Sequence, residues 1–327
     1  DRKFPEFPIT NFTRWAQRRR LNIKRNPTKK RKVAYFAGCT GRFLFPEVPQ
    51  AAVSVLQAVG VDVYVPEQKC CGMPSLLEGD RKLTLEFVGS NLRQLADAVR
   101  DGYDIVCSCP TGGFMLKTVL KEGAYYSAEY QASVGSGEAH LKVPAGRDLI
   151  DGHKEGGFVV LQKSIYGSIL KDKGYFSSFS ARDRIRVAER TFDLGEYLNR
   201  LQSTGELDPP ANTIAGRMLY FPPCHGREQK IGRPYMEQLG RIPGIRLESI
   251  DGHFYCCGMA GIMGFKREFH EPSIQLGRRL MDKIREIDPD RIVTDCLSCR
   301  LQFNQLLPFP VSHPIEVLRD GYGCNGA

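Results

Sequence analysis

Two short stretches decide how this chain folds: KCCGMPS at residues 69–75 and YCCGMAG at residues 255–261. Each places two adjacent cysteines before glycine and methionine. Adjacent cysteines make poor disulfide partners for each other, because the ring they close is strained. A doublet that occurs twice therefore indicates a repeated chemical site, in which both thiols serve one purpose.

Sequence on either side of the doublets also repeats. YFAGCTGR at residues 35–42 matches YFPPCHGR at 220–227, and DIVCSCPTG at 104–112 matches RIVTDCLSC at 291–299. The matched cysteines are Cys39 and Cys224, Cys70 and Cys256, and Cys109 and Cys296. Their offsets are 185, 186 and 187 residues. This near-constant period predicts an internal duplication.

Within each half, short β-prone runs alternate with amphipathic helical segments. This pattern predicts an α/β fold of two tandem pseudo-symmetric domains, each a small parallel sheet flanked by helices. The predicted division is residues 1–32 as a basic N-terminal arm, 33–121 as the first domain, 122–215 as linker and insertion, and 216–327 as the second domain. Within the insertion we expect a loop at 132–148 and a single helix at 181–201. Its apolar and lysine-rich stretch at 158–179 suggests either ordinary packing or an amphipathic patch.

Charge is unevenly distributed along the 327 residues. The net charge is +9, and residues 14–32 hold ten basic side chains and no acidic one. Such a run predicts a solvated arm or an arm that docks on an anionic membrane surface or an acidic partner. No motif typical of nucleic-acid readers accompanies it, so we expect no nucleic acid.

The rest of the sequence indicates a cytoplasmic protein. The sequence contains no run of about 18 apolar residues, the length needed to span a bilayer. The start, DRKFPEFPIT, is charged and interrupted by prolines, unlike a signal peptide. Because the chain begins at Asp1, we interpret it as a fragment, a processed chain or a trimmed chain.

The cysteines point to metal chemistry. There are eleven, an odd number, in a long chain without a secretory signal, which argues against a disulfide framework. The second half offers five predicted cofactor ligands: Cys224, Cys256, Cys257, Cys296 and Cys299. Five thiols exceed by one the needs of tetrahedral zinc or of a cubane cluster, so an opened, non-cubane 4Fe–4S cluster is predicted. The glycine after each doublet is expected to let the backbone approach that cluster.

The first half departs from this pattern. Its predicted metal ligands are Cys39, Cys70, Cys71, Cys109 and Cys107. Gly112 stands where the repeat would place the counterpart of Cys299, and Cys107 matches Thr294. The first site is therefore expected to hold zinc or a second iron–sulfur cluster with four thiols, to recruit Cys107 as a ligand, or to be vestigial.

The ten clustered cysteines and the motifs CCGMAGIMGFKRE and IVTDCLSC resemble the CCG-domain iron–sulfur family. That family includes the B subunits of heterodisulfide reductases and the C subunits of anaerobic glycerol-3-phosphate dehydrogenases. The resemblance covers residues 4–18 and 32–318. It implies an electron-transfer subunit, peripheral at the inner face of the cell membrane, whose partners are a flavoprotein dehydrogenase subunit and a ferredoxin-like domain or subunit. Menaquinone is the acceptor that it suggests.

Two other functions compete with electron transfer to a quinone. A disulfide reductase would place a substrate disulfide between two intact clusters, and a zinc-stabilised binding protein would have no redox role. His225 is a candidate metal ligand or helix-start residue. Five basic residues are candidates for balancing cluster charge or are simply solvated: Arg42, Lys69, Arg227, Lys266 and Arg300.

Overall fold

The computed structural model describes residues 2, 4–24, 31–145 and 153–324. Part of the predicted basic arm, residues 25–30, lies outside this description. None of the described helices is long and apolar enough to cross a bilayer.

The first half forms a four-stranded parallel sheet in the order β2-β1-β3-β7. Its strands are β1 Lys32–Phe36, β2 Asp62–Tyr64, β3 Asp104–Cys107 and β7 Thr191–Asp193. Its helices are α1 Phe12–Arg18, α2 Gly38–Phe43, α3 Glu47–Ala58, α4 Met73–Leu77, α5 Arg81–Arg100, α6 Pro110–Phe114 and α10 Leu194–Ser203. The long amphipathic helix α5 has the bounds that its 3.6-residue apolar period predicts.

The second half repeats this arrangement, with sheet order β11-β10-β8-β9. Its strands are β8 Gly216–Tyr220, β9 Ile245–Ser249, β10 Arg291–Val293 and β11 Val311–Ser312. Its helices are α11 Cys224–Glu228, α12 Pro234–Leu239, α13 His270–Ile287, α14 Leu297–Leu306 and α15 Pro314–Gly321. Two parallel sheets flanked by helices confirm the predicted fold class.

Between β3 and β7 the chain builds a small separate layer. It contains α7 Ala128–Ser133, β4 His140–Pro144, β5 His153–Glu155, β6 Phe158–Gln162, α8 Lys163–Tyr166 and α9 Ala181–Glu189. β4 and β5 both pair antiparallel with β6. The loop predicted at 132–148 was wrong in part, because Leu141 and Val143 alternate inward and make β4 a strand.

The single helix predicted at 181–201 was also wrong. It divides into α9, the strand β7 and α10. Asp193 accepts a hydrogen bond from the backbone N–H of Gly195, and Glu196 bonds back to the Asp193 N–H, which forms a capping box. The DLGE sequence at residues 193–196 was the local signal for a new helix start. β7, which lies within the predicted linker, thus completes the first sheet, and α10 follows it.

One hydrophobic core joins both halves. It includes Phe12 of α1 and Leu56 of α3 from the first half, and Tyr220, Val293 and Leu318 from the second. The helix α1 therefore packs on the core through Phe12 and Ala16, while its arginines face outward. This shared core fixes the two sheets relative to each other and places their carboxyl ends side by side.

Candidate metal centres

The cysteines cluster where strands end. Cys39 lies in α2 after β1, Cys70 and Cys71 follow β2, and Cys109 is the N-cap of α6 after β3. The second half repeats these positions with Cys224, Cys256, Cys257 and Cys296. Carboxyl ends of parallel strands meet at one edge, which is the usual ligand edge of an open α/β sheet.

The second site gathers its five thiols at this edge. The Sγ atoms of Cys257 and Cys299 are 2.9 Å apart, and both residues are buried. Hydrogen bonds from the thiols of Cys256 and Cys299 lower the pKa of Cys257 well below its ordinary value. Burial, with Cys296 and Cys257 nearby, raises the pKa of Cys224. The five side chains therefore influence one another's ionisation.

The first site brings together fewer thiols. The Sγ atoms of Cys39 and Cys70 are 3.8 Å apart. Cys71 is buried beside them. Burial raises the pKa of Cys109 to about 12, and the neighbouring Cys39 and Cys296 add to the rise. Since Cys296 belongs to the second half, Cys109 lies between the two sites.

Cys107 occupies a distinctive position. It is fully buried at the end of β3, and its thiol donates to the carbonyl of Cys109. A Cβ atom added to Gly112 would lie 3.2 Å from the Cys107 Sγ. The Cys107 sulfur thus lies next to the space that a side chain at position 112 would enter, and position 112 is the repeat counterpart of Cys299.

The glycines that follow the doublets adopt a left-handed conformation and lie close to neighbouring helices. Gly72 and Gly258 both have φ of 89°, a left-handed conformation that favours glycine. A Cβ on Gly72 would lie 2.8 Å from Val88 of α5, and one on Gly258 would lie 2.8 Å from the Gly277 nitrogen of α13. Each glycine therefore lets its cysteine loop approach the following helix, and its expected approach to a cluster stays a prediction.

A cleft of about 300 Å³ separates the two sites. Its walls include Cys39, Cys71 and Cys109 from the first half, and Cys296, Ile262 and Phe265 from the second. His225 lies in the same wall, where its Nδ1 is 2.8 Å from Thr111 Oγ1 and its ring stacks on Phe114. The structure thus places His225 in the contact between the halves.

The basic candidates divide into two groups. Burial lowers the pKa of Arg42, and the charges of Cys39 and Cys70, which it faces, oppose that shift. Arg227 opposes the rise in the pKa of Cys224. In contrast, Lys266 pairs with Glu78 at 2.6 Å, and Arg300 pairs with Glu316 at 2.9 Å. Lys69 is exposed. Arg42 and Arg227 are therefore the two that act on the thiols.

The pattern of the sequence did not indicate a buried polar layer behind the cysteines. Tyr35 bonds Ser108 at 2.6 Å, and its repeat counterpart Tyr220 donates to Asp295 at 3.0 Å. His313, the fully buried N-cap of α15, lies 3.2 Å from the Ser108 carbonyl and accepts a bond from Ile315 N–H. This layer joins the halves, and only the three-dimensional contact between repeats reveals it.

Asp193 and Asp295 are both buried in this layer. Burial raises the pKa of Asp193 to about 7 and that of Asp295 to about 8, and the Asp193 charge adds to the rise at Asp295. Because the folded protein binds these protons more tightly than the unfolded chain, the pair lowers stability as pH rises from about 4 through the folded pKa values.

An Asp193→Asn variant is therefore expected to be more stable than the parent, by a gain that grows between pH 4 and pH 7 to a few kcal/mol, at roughly 1.4 kcal/mol per pKa unit. Asparagine also serves as an N-cap, so α10 keeps its start. Urea unfolding at several pH values measures the gain. The matched control is Asp80→Asn at the exposed N-cap of α5. A gain independent of pH contradicts the explanation.

The donor set fits an iron–sulfur group. All eleven cysteines are free, and both clusters offer thiols, the ligands that iron–sulfur clusters take. Within the described part of the chain, no three cysteine, histidine or acidic side chains already surround one metal position. The raised pKa values of Cys39, Cys109, Cys224 and Cys299 indicate thiols that keep their protons until a cationic group displaces them.

Comparison with known proteins agrees with this chemistry. The chain is 25% identical over 319 residues to the C subunit of the anaerobic glycerol-3-phosphate dehydrogenase of Escherichia coli strain K12. The alignment covers 97% of this chain and 65% of the relative, so the chain spans less than two thirds of the length of that protein.

Two further relatives come from other organisms. The B subunit of the fumarate reductase (CoM/CoB) of Methanothermobacter marburgensis is 23% identical over 288 residues, 88% of this chain and 44% of its own length. An uncharacterized iron–sulfur protein of Methanococcus maripaludis is 34% identical over 281 residues, 85% of this chain and 42% of its own length.

A family profile also matches the chain twice. It is described as CCG, cysteine-rich domain, and it covers residues 33–117 and 218–304. These ranges contain β1 to α6 of the first half and β8 to most of α14 of the second. They also include ten of the eleven cysteines. The chain therefore belongs to the cysteine-rich CCG-domain family and carries two copies of the domain.

Proposed function

We propose that this chain is an iron–sulfur electron-transfer subunit that receives electrons from a flavoprotein dehydrogenase and delivers them to a membrane quinone. The observation that carries the proposal is the gathering of five mutually interacting thiols at the edge of the second sheet. The names of two relatives, which are subunits of a dehydrogenase and of a reductase, support a role within a larger complex. A ferredoxin-like domain or subunit is the second proposed partner.

The second site would hold a non-cubane 4Fe–4S cluster through Cys224, Cys256, Cys257, Cys296 and Cys299. Such a group, when bound, supplies one-electron transfer. The protein's contribution is to exclude water from Cys257 and Cys299, which are buried, and to place Arg227 near Cys224. Arg227 offsets the negative charge that a thiolate-rich group brings.

For the first site we propose a second iron–sulfur cluster, with zinc as the alternative. The position of Cys107 supports the cluster. Its sulfur lies beside Gly112, and a thiol there restores the fifth donor that the repeat lacks at position 112. The proposed ligands are Cys39, Cys70, Cys71, Cys109 and Cys107.

Anaerobic purification followed by iron, zinc and acid-labile sulfide analysis tests both sites. Two iron–sulfur clusters give about eight irons and no zinc per chain, since each cluster holds four irons. Zinc with no sulfide would overturn the electron-transfer proposal. Iron for one cluster together with one zinc would assign zinc to the first site. In that case Cys107→Ser would be expected to leave the iron content unchanged.

A disulfide reductase of the heterodisulfide type is the second candidate. The cleft of about 300 Å³ between the sites favours it, because thiols from both halves line that cleft. One assay under reducing conditions distinguishes the two functions. Turnover of a soluble quinone without turnover of small organic disulfides supports electron transfer to quinone, and the reverse supports the alternative.

We further propose that the basic segment holds the protein at an anionic membrane surface. Arg14, Arg18 and Arg20 are exposed on and just after α1, whose inner side packs on the core. Their replacement by glutamine is expected to weaken binding to anionic vesicles at low salt, because each cation near such a surface contributes about 1 kcal/mol. Vesicle sedimentation at increasing salt measures this.

The matched control removes three exposed positive charges elsewhere, at Lys82, Lys230 and Arg278. It changes net charge equally but leaves α1 intact. Equal loss of vesicle binding in both variants would show that total charge, and not this segment, is responsible.

A further inference from the structure

A second, larger cleft lies beside the first cysteine site. Its volume is about 730 Å³, within the range of small-molecule pockets, which is about 300–1,000 Å³. It is lined by residues of α1, α2 and α5 and of the loop after β2. Cys39 and Cys70, whose sulfurs are 3.8 Å apart, also line it. A ligand in this cleft would touch the ligands of the first site.

The lining combines aromatic surface with neutral hydrogen-bonding groups. Phe43 of α2 and Phe87 of α5 supply ring surface. Gln17 of α1 and Gln94 of α5 supply side-chain amides. Amide N–H groups donate to carbonyl oxygens without requiring a charge on the ligand. This chemistry suits a flat, uncharged ring that carries carbonyl groups.

We propose that this cleft binds the ring of the acceptor quinone, beside Cys39 and Cys70. The inference rests on the proposed function, which names the quinone as acceptor, and adds where it binds. It also requires the first site to be redox-active, and thus to hold an iron–sulfur cluster and not zinc.

The charges of the cleft disfavour a nucleotide. Arg42 is partly buried, and two of its nitrogens are already engaged: Nε donates to Thr13 Oγ1 at 3.1 Å and Nη1 donates to the Gln68 carbonyl. Lys69 is exposed, and Glu67 lies in the same wall. A flavin mononucleotide or a nicotinamide dinucleotide would need a free bidentate cation or a phosphate-binding loop here, whereas a quinone needs neither.

The cleft also lies beside α1, the helix proposed to face the membrane. Thr13 and Gln17 of α1 line the cleft, and Arg14 and Arg18 of the same helix are exposed. A quinone dissolved in the bilayer could therefore enter at the edge of α1. Its reduction to quinol takes two electrons, which the flavoprotein dehydrogenase supplies, and two protons, which solvent supplies through the open cleft.

The chain contains its own reporter for this site. Trp15 is the sole tryptophan, and its ring stacks on Phe12 with centroids 5.5 Å apart. Quinones quench tryptophan fluorescence at short range. Titration of the anaerobically purified protein with duroquinone is expected to quench Trp15 saturably. Duroquinone is fully methylated, so no open ring position remains for thiols to attack.

Two variants place a larger side chain in the cleft from different helices: Gln94→Phe on α5 and Gln17→Phe on α1. Each is expected to raise the dissociation constant for duroquinone by about tenfold or more, a factor that corresponds to 1.4 kcal/mol. Lys82→Phe, on an exposed position of α5 outside the cleft, is the matched control and is expected to bind as the parent does. Thermal unfolding of all three variants checks that they fold alike.

The outcomes separate this inference from the proposed function. If duroquinone is reduced by the complex but neither variant alters its binding or its reduction, the cleft assignment fails and the proposed function stands. If duroquinone binds as expected but is never reduced, the cleft is a quinone site and the proposed function fails. Tighter quenching by flavin mononucleotide than by duroquinone also overturns the assignment.

Discussion

A Cys257→Ser variant is expected to lose the iron and acid-labile sulfide of the second site and, with them, quinone reduction by the complex. Cys257 is buried, lies 2.9 Å from the Cys299 sulfur, and has a pKa held well below its ordinary value by the Cys256 and Cys299 thiols. Its thiol is thus in direct contact with two others of the proposed ligand set. Serine is close in size but a poor ligand for iron, so the loss of cluster affinity should exceed the roughly 10–100-fold cost of disturbing a group outside the ligand set.

Iron content, sulfide content and the electron paramagnetic resonance spectrum measure this loss. The control is Cys324→Ser, which changes a cysteine outside both clusters and is expected to leave all three unchanged. Circular dichroism separates loss of the cluster from loss of the fold. Full retention of iron by the Cys257 variant would falsify its assignment as a ligand.

The second large effect is expected at Gly258, where alanine should destabilise the protein by several kcal/mol. The residue has φ of 89°, and a left-handed conformation costs a residue other than glycine about 1–2 kcal/mol. In addition, a Cβ would lie 2.8 Å from the Gly277 nitrogen and closer still to the Ser273 carbonyl oxygen. Both atoms are backbone atoms of α13, which can yield only if the helix shifts.

Gly205→Ala provides the matched comparison. Gly205 also has a positive φ, of 71°, but an added Cβ would meet nothing within 4 Å. Its variant should therefore lose only the conformational part, about 1–2 kcal/mol. Urea unfolding of both variants measures the difference. Equal destabilisation of the two variants would mean that the close approach to α13 contributes nothing to the loss of stability at Gly258.

The duplicated pattern allowed much of the fold to be predicted. The strand and helix periods fixed β1, α3 and α5 closely, because a parallel sheet and an amphipathic helix impose distinct apolar spacings. The short strand β7 was not predicted, because its three residues continue the apolar periodicity of α9. The capping box at Asp193 was the available local signal.

The candidate site was predictable in its members but not in its arrangement. Spacing alone assigned Cys224, Cys256 and Cys296 to one group, because repeated positions occupy equivalent places. It could not show that Cys109 lies near Cys296, because that depends on how the two sheets pack. The contact of Gly258 with α13 escaped prediction for the same reason, because that helix begins further along the chain.

The position of β7 has a consequence for how the chain is made. In the second half β11 follows β10 closely, whereas in the first half the partner of β3 arrives only after the whole inserted layer, with Cys107 paired to Asp193. During synthesis the insertion must therefore leave the ribosome before β7 can pair with β3 and complete the first sheet. Until then β3 keeps an open edge, the kind of surface at which growing chains pair wrongly. Nascent-chain folding should thus be slow in the first half, and chaperone binding should be concentrated in the interval before residue 193 emerges.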